Sequence, residues 1–346
     1  MMALETRRLT ESDDAAYVEF LDGLSARNPC VLGYHYPVYR RMLSRIGAGE
    51  PFYMGAFENG RLAGILPGFI KRSEVGTAYC SLPYFGPNAG VMVADDEDGK
   101  VHEALLGSVF QYMSSCHDAV SASFYTPFLF DRYRFYDTAL PQAEIVEKQT
   151  LYLDLQTAQW DKKILYDLRK AQKAGLSISE EITPERIQRF YDIYKGNCAE
   201  FGIPLKPFEA VRFLAEEGVG DGQVKCYFAF LNGEMIAGLM MLFSQGVMSY
   251  YIPCTLTSAR ATQPSSTLID YCVQQSRQMK VRYWNWESSP SKESGVYQFK
   301  NKWGSVEKDY RIYVRLFCGK DKLKALGQQK IAESFPYFFV YPFNRL

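Results

Sequence analysis

The sequence predicts an α/β protein made of two tandem domains, each with a mixed, mostly antiparallel sheet flanked by helices. The chain has 346 residues, about twice the length of a typical domain. A segment also recurs half a chain apart, as AFENGRLAG at 56–64 and AFLNGEMIAG at 229–238, which indicates internal duplication. The same order of helices, antiparallel strands, helix and strand follows in each half. We predict domains at 1–145 and 146–320 and a helical, aromatic tail at 321–346.

The elements of the first half follow from apolar periodicity and turn signals. Amphipathic patterns predict helices at 11–24, 38–46 and 102–116. Runs of residues that favour β-strands predict strands near 52–58, 61–71, 77–82, 90–93 and 119–125. Asn59 and Gly60 separate two of these runs, and Asn-Gly is typical of a two-residue type I′ hairpin.

The second half repeats this pattern more clearly. A strand is expected at 151–155, followed by helices at 164–174, 184–201 and 208–217. A meander of strands at 225–231, 234–243 and 247–253 follows, with Asn232 and Gly233 at its first turn. The pattern ends with a helix at 264–279, a strand at 282–287, a short helix at 297–303 and a strand pair at 308–316.

Composition excludes several classes of protein. Lys+Arg and Asp+Glu both number 39, so binding of DNA through bulk charge is not expected. The eight cysteines form no CxxC pair, and we expect neither a metal site nor a disulfide scaffold. The first residues are charged and lack the apolar core of a signal peptide, and no run is long enough for a membrane helix. We therefore expect a cytoplasmic protein.

Several local motifs resemble those of the FemAB-type aminoacyltransferases, tandem members of the GNAT N-acyltransferase superfamily. These motifs are LRKAQKAG at 168–175, FYDIY at 190–194 with FGIP at 201–204, YQFKNKWG at 297–304 and SLPYFGP at 81–87. Such enzymes build peptidoglycan cross-bridges. The resemblance implies N-acyl or N-aminoacyl transfer by direct attack of an amine, without a covalent enzyme intermediate.

Three residues near the end of the second half are the candidate catalytic residues. The matching lysine of the family, Lys300, would stabilise the negative charge that develops on the reacting carbonyl. Phe299 would pack beneath it and exclude water. Glu287 departs from the family pattern; buried beside aromatic residues, it would have a raised pKa and could act as general base or orient the acceptor amine. A solvated edge carboxylate is the alternative for Glu287, and a core stripe of Phe299 and Trp303 with a solvated lysine is the alternative for Lys300.

Further candidates would bind the substrates. Tyr166, Arg169 and Lys170 lie on the basic face of the helix at 162–174 and would contact phosphates of a nucleotide-linked or lipid-linked precursor or of a charged tRNA; an ordinary amphipathic helix is the alternative. Arg260, Ser265 and Ser266 surround a helix N-terminus that would hold the donor, although the glycine-rich loop of acyl-CoA-dependent enzymes is missing there. The residues expected to line the acceptor site are Tyr34, Tyr36 and Tyr84.

The function expected from the sequence is transfer of an aminoacyl or acyl group to an amine of a cell-envelope precursor, either a peptide or an amino sugar. The donor would be aminoacyl-tRNA or acyl-CoA, and no cofactor would be bound permanently. The acceptor would be a small molecule or lipid-linked, with tRNA as a second partner and peripheral membrane contact through the aromatic tail. One alternative is an acyl-CoA-dependent acetyltransferase of a surface-polysaccharide amino sugar. Another is a non-catalytic module that binds a glycan or nucleotide sugar.

Overall fold

A computed structural model describes residues 4–83, 89–289 and 291–346. The chain forms two compact units, and each mixes helices with sheet as the sequence predicts. The first unit contains residues 1–31, 43–148 and 309–346, and the second contains residues 32–42 and 149–308. The second unit therefore includes a short segment from the N-terminal half of the chain, which contains Tyr34 and Tyr36.

The first unit contains two sheets. Its strands are β1 (Leu4–Arg8), β2 (Glu50–Pro51), β3 (Met54–Glu58), β4 (Arg61–Leu66), β5 (Phe69–Ser73), β6 (Gly76–Cys80), β7 (Met92–Val93) and β8 (Ala119–Tyr125). Its helices are α1 (Asp14–Ser25), the last residues of α2 (Pro37–Arg45), α3 (Lys100–Ser115) and α4 (Arg134–Ala139). One sheet has the order β1-β3-β4-β7, and the other contains β8, β6, β5 and β2 in that order. Helix α3 packs on β3, β4 and β8 and contributes Leu105, Leu106 and Val109 to the core.

The second unit is a sheet covered by helices on both faces. Its strands are β9 (Glu144–Asp154, from Gln149 on), β10 (Ser177–Ser179), β11 (Val224–Leu231), β12 (Glu234–Phe243), β13 (Val247–Thr255) and β14 (Tyr283–Ser288). Its helices are α5 (Lys162–Ala174), α6 (Pro184–Phe201), α7 (Phe208–Phe213), α8 (Pro264–Gln278) and α9 (Gly295–Asn301). The strand order is β10-β11-β12-β13-β14-β9; of the strand pairs described there, β13 with β14 is parallel and the other four are antiparallel.

Alternation along β12 explains why helices cover both faces of this sheet. Ala237, Leu239 and Met241 pack with Leu268 and Ile269 of α8. Gly238, between the first two, faces Phe190 of α6, where an added Cβ would lie 2.4 Å from the ring. Because neighbouring strand residues point to opposite faces, α6 and α8 lie on opposite sides of the sheet.

The C-terminal part of the chain completes the first unit. Strand β15 (Val306–Leu316) and helix α10 (Lys320–Ser334) are its elements, and β15 pairs antiparallel with β8. The sequence predicts a pair of strands here, and this detail was wrong, because β15 is a single unbroken strand. Likewise β9 begins at Glu144 rather than at residue 151.

The repeated segment has the same local structure in both units. Asn59 and Gly60 have φ values of 52° and 75°, and Asn232 and Gly233 have 51° and 83°. Both pairs thus have the positive φ values that a two-residue type I′ turn requires. The pairing register also shifts at the same place, between Ala56 and Phe57 and between Ala229 and Phe230. A shared bulge beside a shared turn supports the internal duplication that the sequence indicates.

Candidate active site

In the second unit, β13 and β14 stop pairing part-way along both strands, and we call the place where they separate the cleft. Parallel pairing covers three residues in each strand and ends at Ser249 and Asn285. Beyond that point β13 continues to Thr255, bulged next to Tyr251, and β14 continues to Ser288. Diverging parallel strands expose backbone and side chains between them. This place in an α/β sheet commonly receives a ligand.

Glu287 lies at this divergence, held in an unusual backbone conformation. Its φ is +61°, in the left-handed region that non-glycine residues rarely adopt. The turn is fixed by Asn285, whose Oδ1 accepts the Glu287 N–H at 2.9 Å, and by Thr150, whose hydroxyl donates to the Glu287 carbonyl at 3.0 Å. Backbone strain held in place by several hydrogen bonds is common at functional sites.

The carboxylate of Glu287 is itself hydrogen-bonded. The hydroxyl of Tyr34 donates to both of its oxygens, each at 3.2 Å, and the side-chain amide of Asn285 donates to one of them at 3.0 Å. Burial raises the pKa of Glu287 to about 7, against the opposing effects of the Tyr34 hydroxyl and the positive charge of Lys300. Part of the residue surface stays accessible. A carboxyl with a pKa near neutrality can accept a proton from an attacking amine.

Lys300 lies beneath this turn on α9 and is buried. Its ammonium donates to the carbonyls of Trp286 and Ser288, at 2.8 and 3.2 Å, and to the Ser289 hydroxyl at 3.1 Å. These contacts hold both residues that flank Glu287. Burial lowers the pKa of Lys300 to about 8, while the charge of Glu287 acts in the other direction. Lys300 therefore supplies positive charge next to the cleft and also fixes the position of Glu287.

A second lysine and two tyrosines complete the surroundings of Glu287. Burial lowers the pKa of Lys206, and the charge of Glu287 partly opposes that effect. The Lys206 ammonium lies 5.2 Å from the ring centre of Tyr251, whose hydroxyl is 3.3 Å from that of Tyr39. The Tyr39 ring in turn packs against the Tyr34 ring, with the two ring centres 5.6 Å apart. Sequence analysis missed Lys206, Tyr39 and Tyr251, since no motif contains them.

One glycine permits the close approach that brings Tyr34 to this site. A Cβ at Gly33 would lie 2.4 Å from the backbone nitrogen of Phe243 at the end of β12. Real Cβ atoms do not approach backbone atoms so closely, so residue 33 must lack a side chain. Tyr34 follows directly and is 1% exposed. Tyr36, predicted with it as an acceptor contact, is buried too.

A separate cavity of about 350 Å³ lies at the N-terminus of α8. Four residues that the sequence singles out line it together: Arg260, Ser265, Ser266 and Phe299. The N-cap residue Gln263 is left-handed and its side chain makes no capping hydrogen bond. The first N–H groups of a helix require outside partners and attract anions. This cavity therefore offers a place for an anionic group.

Arg260 is already engaged at the cavity. Its guanidinium binds both carboxylate oxygens of Glu200 at 2.7 and 2.6 Å and lies 5.1 Å from the Phe201 ring. The Ser265 hydroxyl is 2.7 Å from that of Thr255. The ring centres of Phe299 and Trp303 are 6.3 Å apart. A donor phosphate would therefore meet serine hydroxyls and helix N–H groups first.

The remaining candidates lie elsewhere. Tyr166, Arg169 and Lys170 are exposed on α5, with Tyr166 60% exposed and its ring 5.1 Å from the Lys163 ammonium. They do not line the cavity at the N-terminus of α8 and are not bonded to Glu287 among the contacts described. Tyr84 lies outside the described residues. Within the described part of the chain, no group of three His, Cys, Asp or Glu residues is placed to hold a metal ion.

Comparisons with known proteins show a family domain and similar folds. Residues 160–286 match the family model described as an acetyltransferase (GNAT) domain. The chain is similar in structure to FemX, with a TM-score of 0.70 and 12% identity over 89% of this chain and 96% of that one. It is also similar to a tandem GNAT protein of the clavulanic acid biosynthesis pathway, with a TM-score of 0.56 and 12% identity over 92% of this chain and all of that one. A third similar structure is that of L-PGS from Bacillus licheniformis, with a TM-score of 0.55 and 12% identity over 87% of this chain and 96% of that one.

No curated protein sequence matches the chain. The fold and the GNAT domain together define an acyltransferase. More specifically, residues 160–286 match a GNAT domain, and the fold of the chain is similar to those of FemX and of the tandem GNAT protein, as its motifs predict. These findings therefore do not support the alternative of a purely non-catalytic binding module. In the described part of the chain, no helix is long and apolar enough to cross a membrane.

Proposed function

We propose that this acyltransferase moves an acyl or aminoacyl group to an amine of a cell-envelope precursor, either a peptide side chain or an amino sugar. The observation that carries the proposal is Glu287, a hydrogen-bonded carboxyl with a pKa of about 7 at the divergence of two strands. The motifs of the chain resemble FemAB-type aminoacyltransferases, and its fold is similar to that of FemX.

The donor would bind at the N-terminus of α8, with its phosphates near Ser265 and Ser266 and its acyl end towards Tyr250 and Phe299. Tyr250 follows Ser249, which is hydrogen-bonded to Asn285, and Phe299 precedes Lys300. The donor cavity and the surroundings of Glu287 therefore use neighbouring residues of β13 and of α9. The donor is aminoacyl-tRNA or acyl-CoA. The basic, exposed face of α5, with Tyr166, Arg169 and Lys170, would contact a tRNA donor.

The reaction would proceed by direct attack. The amine nitrogen forms a bond to the carbonyl carbon of the donor, and the carbonyl electrons move to oxygen to give a tetrahedral oxyanion. Glu287 takes one proton from the attacking nitrogen. The oxyanion electrons then re-form the carbonyl while the bond from carbon to the oxygen or sulfur of the carrier breaks. The carrier takes up the proton that Glu287 accepted and leaves as alcohol or thiol, which returns Glu287 to its ionised form. The positive charge of Lys300 lowers the energy of the negative charge that develops in the cleft.

Binding of acetyl-CoA, measured by calorimetry with free CoA as control, decides between the donors. Micromolar binding would support acyl-CoA, whereas no binding at millimolar ligand would leave charged tRNA. Transfer to a panel of amines is then measured with the donor so identified. Glu287→Gln should lower kcat by roughly 10²- to 10⁴-fold, as expected when a general base is lost.

The matched control is Glu293→Gln, which removes an exposed carboxyl six positions away. Glu293→Gln should keep the wild-type rate. Wild-type transfer in the Glu287→Gln protein would remove the observation on which the proposal depends, and no transfer from either donor to any peptide or amino-sugar amine would contradict the function itself.

A further inference from the structure

The first unit contains an acidic cavity that acyl transfer in the second unit does not use. The cavity has a volume of about 220 Å³ and is lined by loop residues around β7, by the start of α3 and by the loop after β8. A cavity that holds one water molecule needs a volume of roughly 15 Å³, and sites for drug-sized ligands have about 300 Å³ or more. The size therefore suits one compact molecule.

A buried histidine lines this cavity. His102 is 1% exposed, and its Nδ1 lies 2.6 Å from a carboxylate oxygen of Asp96, which is also buried. Asp96 further accepts the backbone N–H groups of Val101 and His102 at 3.3 and 3.0 Å, so it remains the acceptor in this pair. The ring nitrogen that faces Asp96 therefore carries a hydrogen.

The other ring nitrogen has unused hydrogen-bonding capacity. Among the residues that the structure describes, none provides a partner for Nε2 of His102. In a neutral imidazole whose Nδ1 carries the hydrogen, Nε2 is an acceptor. Leaving a buried acceptor unpaired costs about 1–3 kcal/mol. Such an atom in the lining of a cavity indicates a ligand that donates a hydrogen bond.

The charges of the lining favour a cation. Three carboxylates line the cavity, those of Asp95, Asp96 and Asp131, against one guanidinium, that of Arg132. Asp95 and Asp131 are exposed, and an Arg132 nitrogen donates to the Asp96 carbonyl at 3.1 Å. Phe128 and Phe130 provide aromatic surface in the same lining. Aromatic faces and carboxylates both attract an ammonium group.

We propose that this cavity binds a compact primary amine, whose ammonium group lies against the carboxylates of Asp95 and Asp131 and donates one hydrogen bond to Nε2 of His102. An acidic lining and a buried acceptor are separate observations, and a protonated amine satisfies both. The proposal goes beyond acyl transfer, because it requires neither the donor cavity nor Glu287, and a binding measurement tests it without any reaction.

The test is calorimetric titration of the full chain with D-glucosamine and with ethanolamine, each compared with its N-acetyl counterpart. We expect saturable binding of at least one free amine and none of its acetylated form. The double variant Asp95→Asn with Asp131→Asn changes only exposed side chains and should weaken binding roughly tenfold, from the loss of two favourable charge contacts. Glu97→Gln is the matched control, an exposed carboxyl close in sequence that does not line the cavity.

His102→Phe removes the acceptor and keeps a ring that can pack against Phe130 and Phe135. This variant should also lose amine binding, and its melting curve shows whether it folds; if it does not, the double aspartate variant provides the test alone. Failure of both amines to bind, equal binding of an N-acetyl form, or unchanged affinity in the double variant would each overturn the proposal. Because each outcome is a binding constant, it is independent of whether the protein transfers an acyl group to any acceptor tested.

Discussion

The hydroxyl of Tyr34 lies 3.2 Å from both carboxylate oxygens of Glu287, although the two residues are 253 positions apart in the chain. The contact forms because residues 32–42 belong to the second unit, with Gly33 against the end of β12. It joins a buried hydrogen-bond donor to a carboxyl whose pKa is near neutrality. The first prediction follows from this contact.

Tyr34→Phe should shift the pH dependence of acyl transfer. The Tyr34 hydroxyl lowers the pKa of Glu287 by donating to its ionised form, so its removal should raise that pKa by roughly one unit. The acidic limb of the rate profile should then move to higher pH, with a loss of roughly tenfold at pH 6 and little loss at pH 8.5. Tyr283→Phe, on β14 and packed against Tyr152, is the control and should leave the limb in place. An unshifted limb in Tyr34→Phe would show that Glu287 is not the group that titrates.

Lys300→Met should lower kcat by roughly 10- to 100-fold and change KM for the acceptor by less than about threefold. The reason is twofold: the three hydrogen bonds around Glu287 are lost, and so is the positive charge. Because burial lowers the pKa of Lys300 to about 8, the wild-type rate should also fall above that pH as the ammonium loses its proton. This alkaline limb should be missing in Lys300→Met.

Lys302→Met is the control for this variant, since Lys302 is an exposed lysine two positions away at the end of α9. It should keep both the rate and the alkaline limb. If Lys300→Met kept the limb, another group, such as Lys206, would be responsible for it.

Glu287→Gln should stabilise the protein at alkaline pH. The pKa of Glu287 rises from 4.5 to about 7 on folding, so the folded state holds the proton more tightly than the unfolded state. The stabilisation from this proton is present in full below pH 4.5 and is lost as pH rises through about 7. The loss amounts to at most about 3 kcal/mol.

The melting temperature of Glu287→Gln should therefore exceed that of the wild type by a few degrees at pH 8.5, and the gap should narrow towards pH 5. Differential scanning calorimetry at both pH values measures this. Glu293→Gln, which changes an exposed carboxyl, should melt with the wild type throughout. A lower melting temperature for Glu287→Gln at pH 8.5 would mean that the ionised carboxylate stabilises the fold.

Ser265→Tyr should fill the donor cavity. Ser265 lines it at the start of α8 and is partly exposed, so a tyrosine can occupy the cavity without entering the core. We expect KM for the donor to rise at least tenfold, with KM for the acceptor unchanged. Gln274→Tyr, exposed further along the same helix, is the control. Equal donor KM values in the two variants would place the donor elsewhere.

Local signals predicted the elements well where local chemistry decides the structure. The two Asn-Gly hairpins form because both residues tolerate positive φ. Helix α5 begins after Asp161, whose carboxylate accepts the Ile164 N–H at 2.9 Å, and ends at the left-handed Gly175. These are the capping signals that the sequence contains at those positions.

The sequence analysis failed where burial depends on distant parts of the chain. The helical pattern of α5 places Leu165 on the apolar face, yet it is 42% exposed, while Asp167 is buried and binds the Lys163 ammonium. The polar network of the cleft escaped prediction for the same reason. Thr150, Ser249 and Asn285 come together only through the register of three strands, and no motif joins them.

The candidate site shows the same division. Arg260, Ser265, Ser266 and Phe299 were named from the sequence and line one cavity, because a helix N-terminus and a nearby helix are local features with family motifs. His102 and Asp96 were not named, although they are six positions apart, because only the folded loop brings their side chains together. Their spacing on either side of Gly99 was the available signal.

Gly33 carries no functional group, yet an alanine at this position would have to push the segment before α2 away from Phe243. Tyr34 would move with this segment. Loss of its hydrogen bonds would then raise the pKa of Glu287. In a genetic screen, such an allele would be scored as a catalytic mutant of a folded protein. Position 33 therefore tolerates no side chain, although it takes no part in the chemistry. A survey of natural variation should find Gly33 as constrained as Glu287.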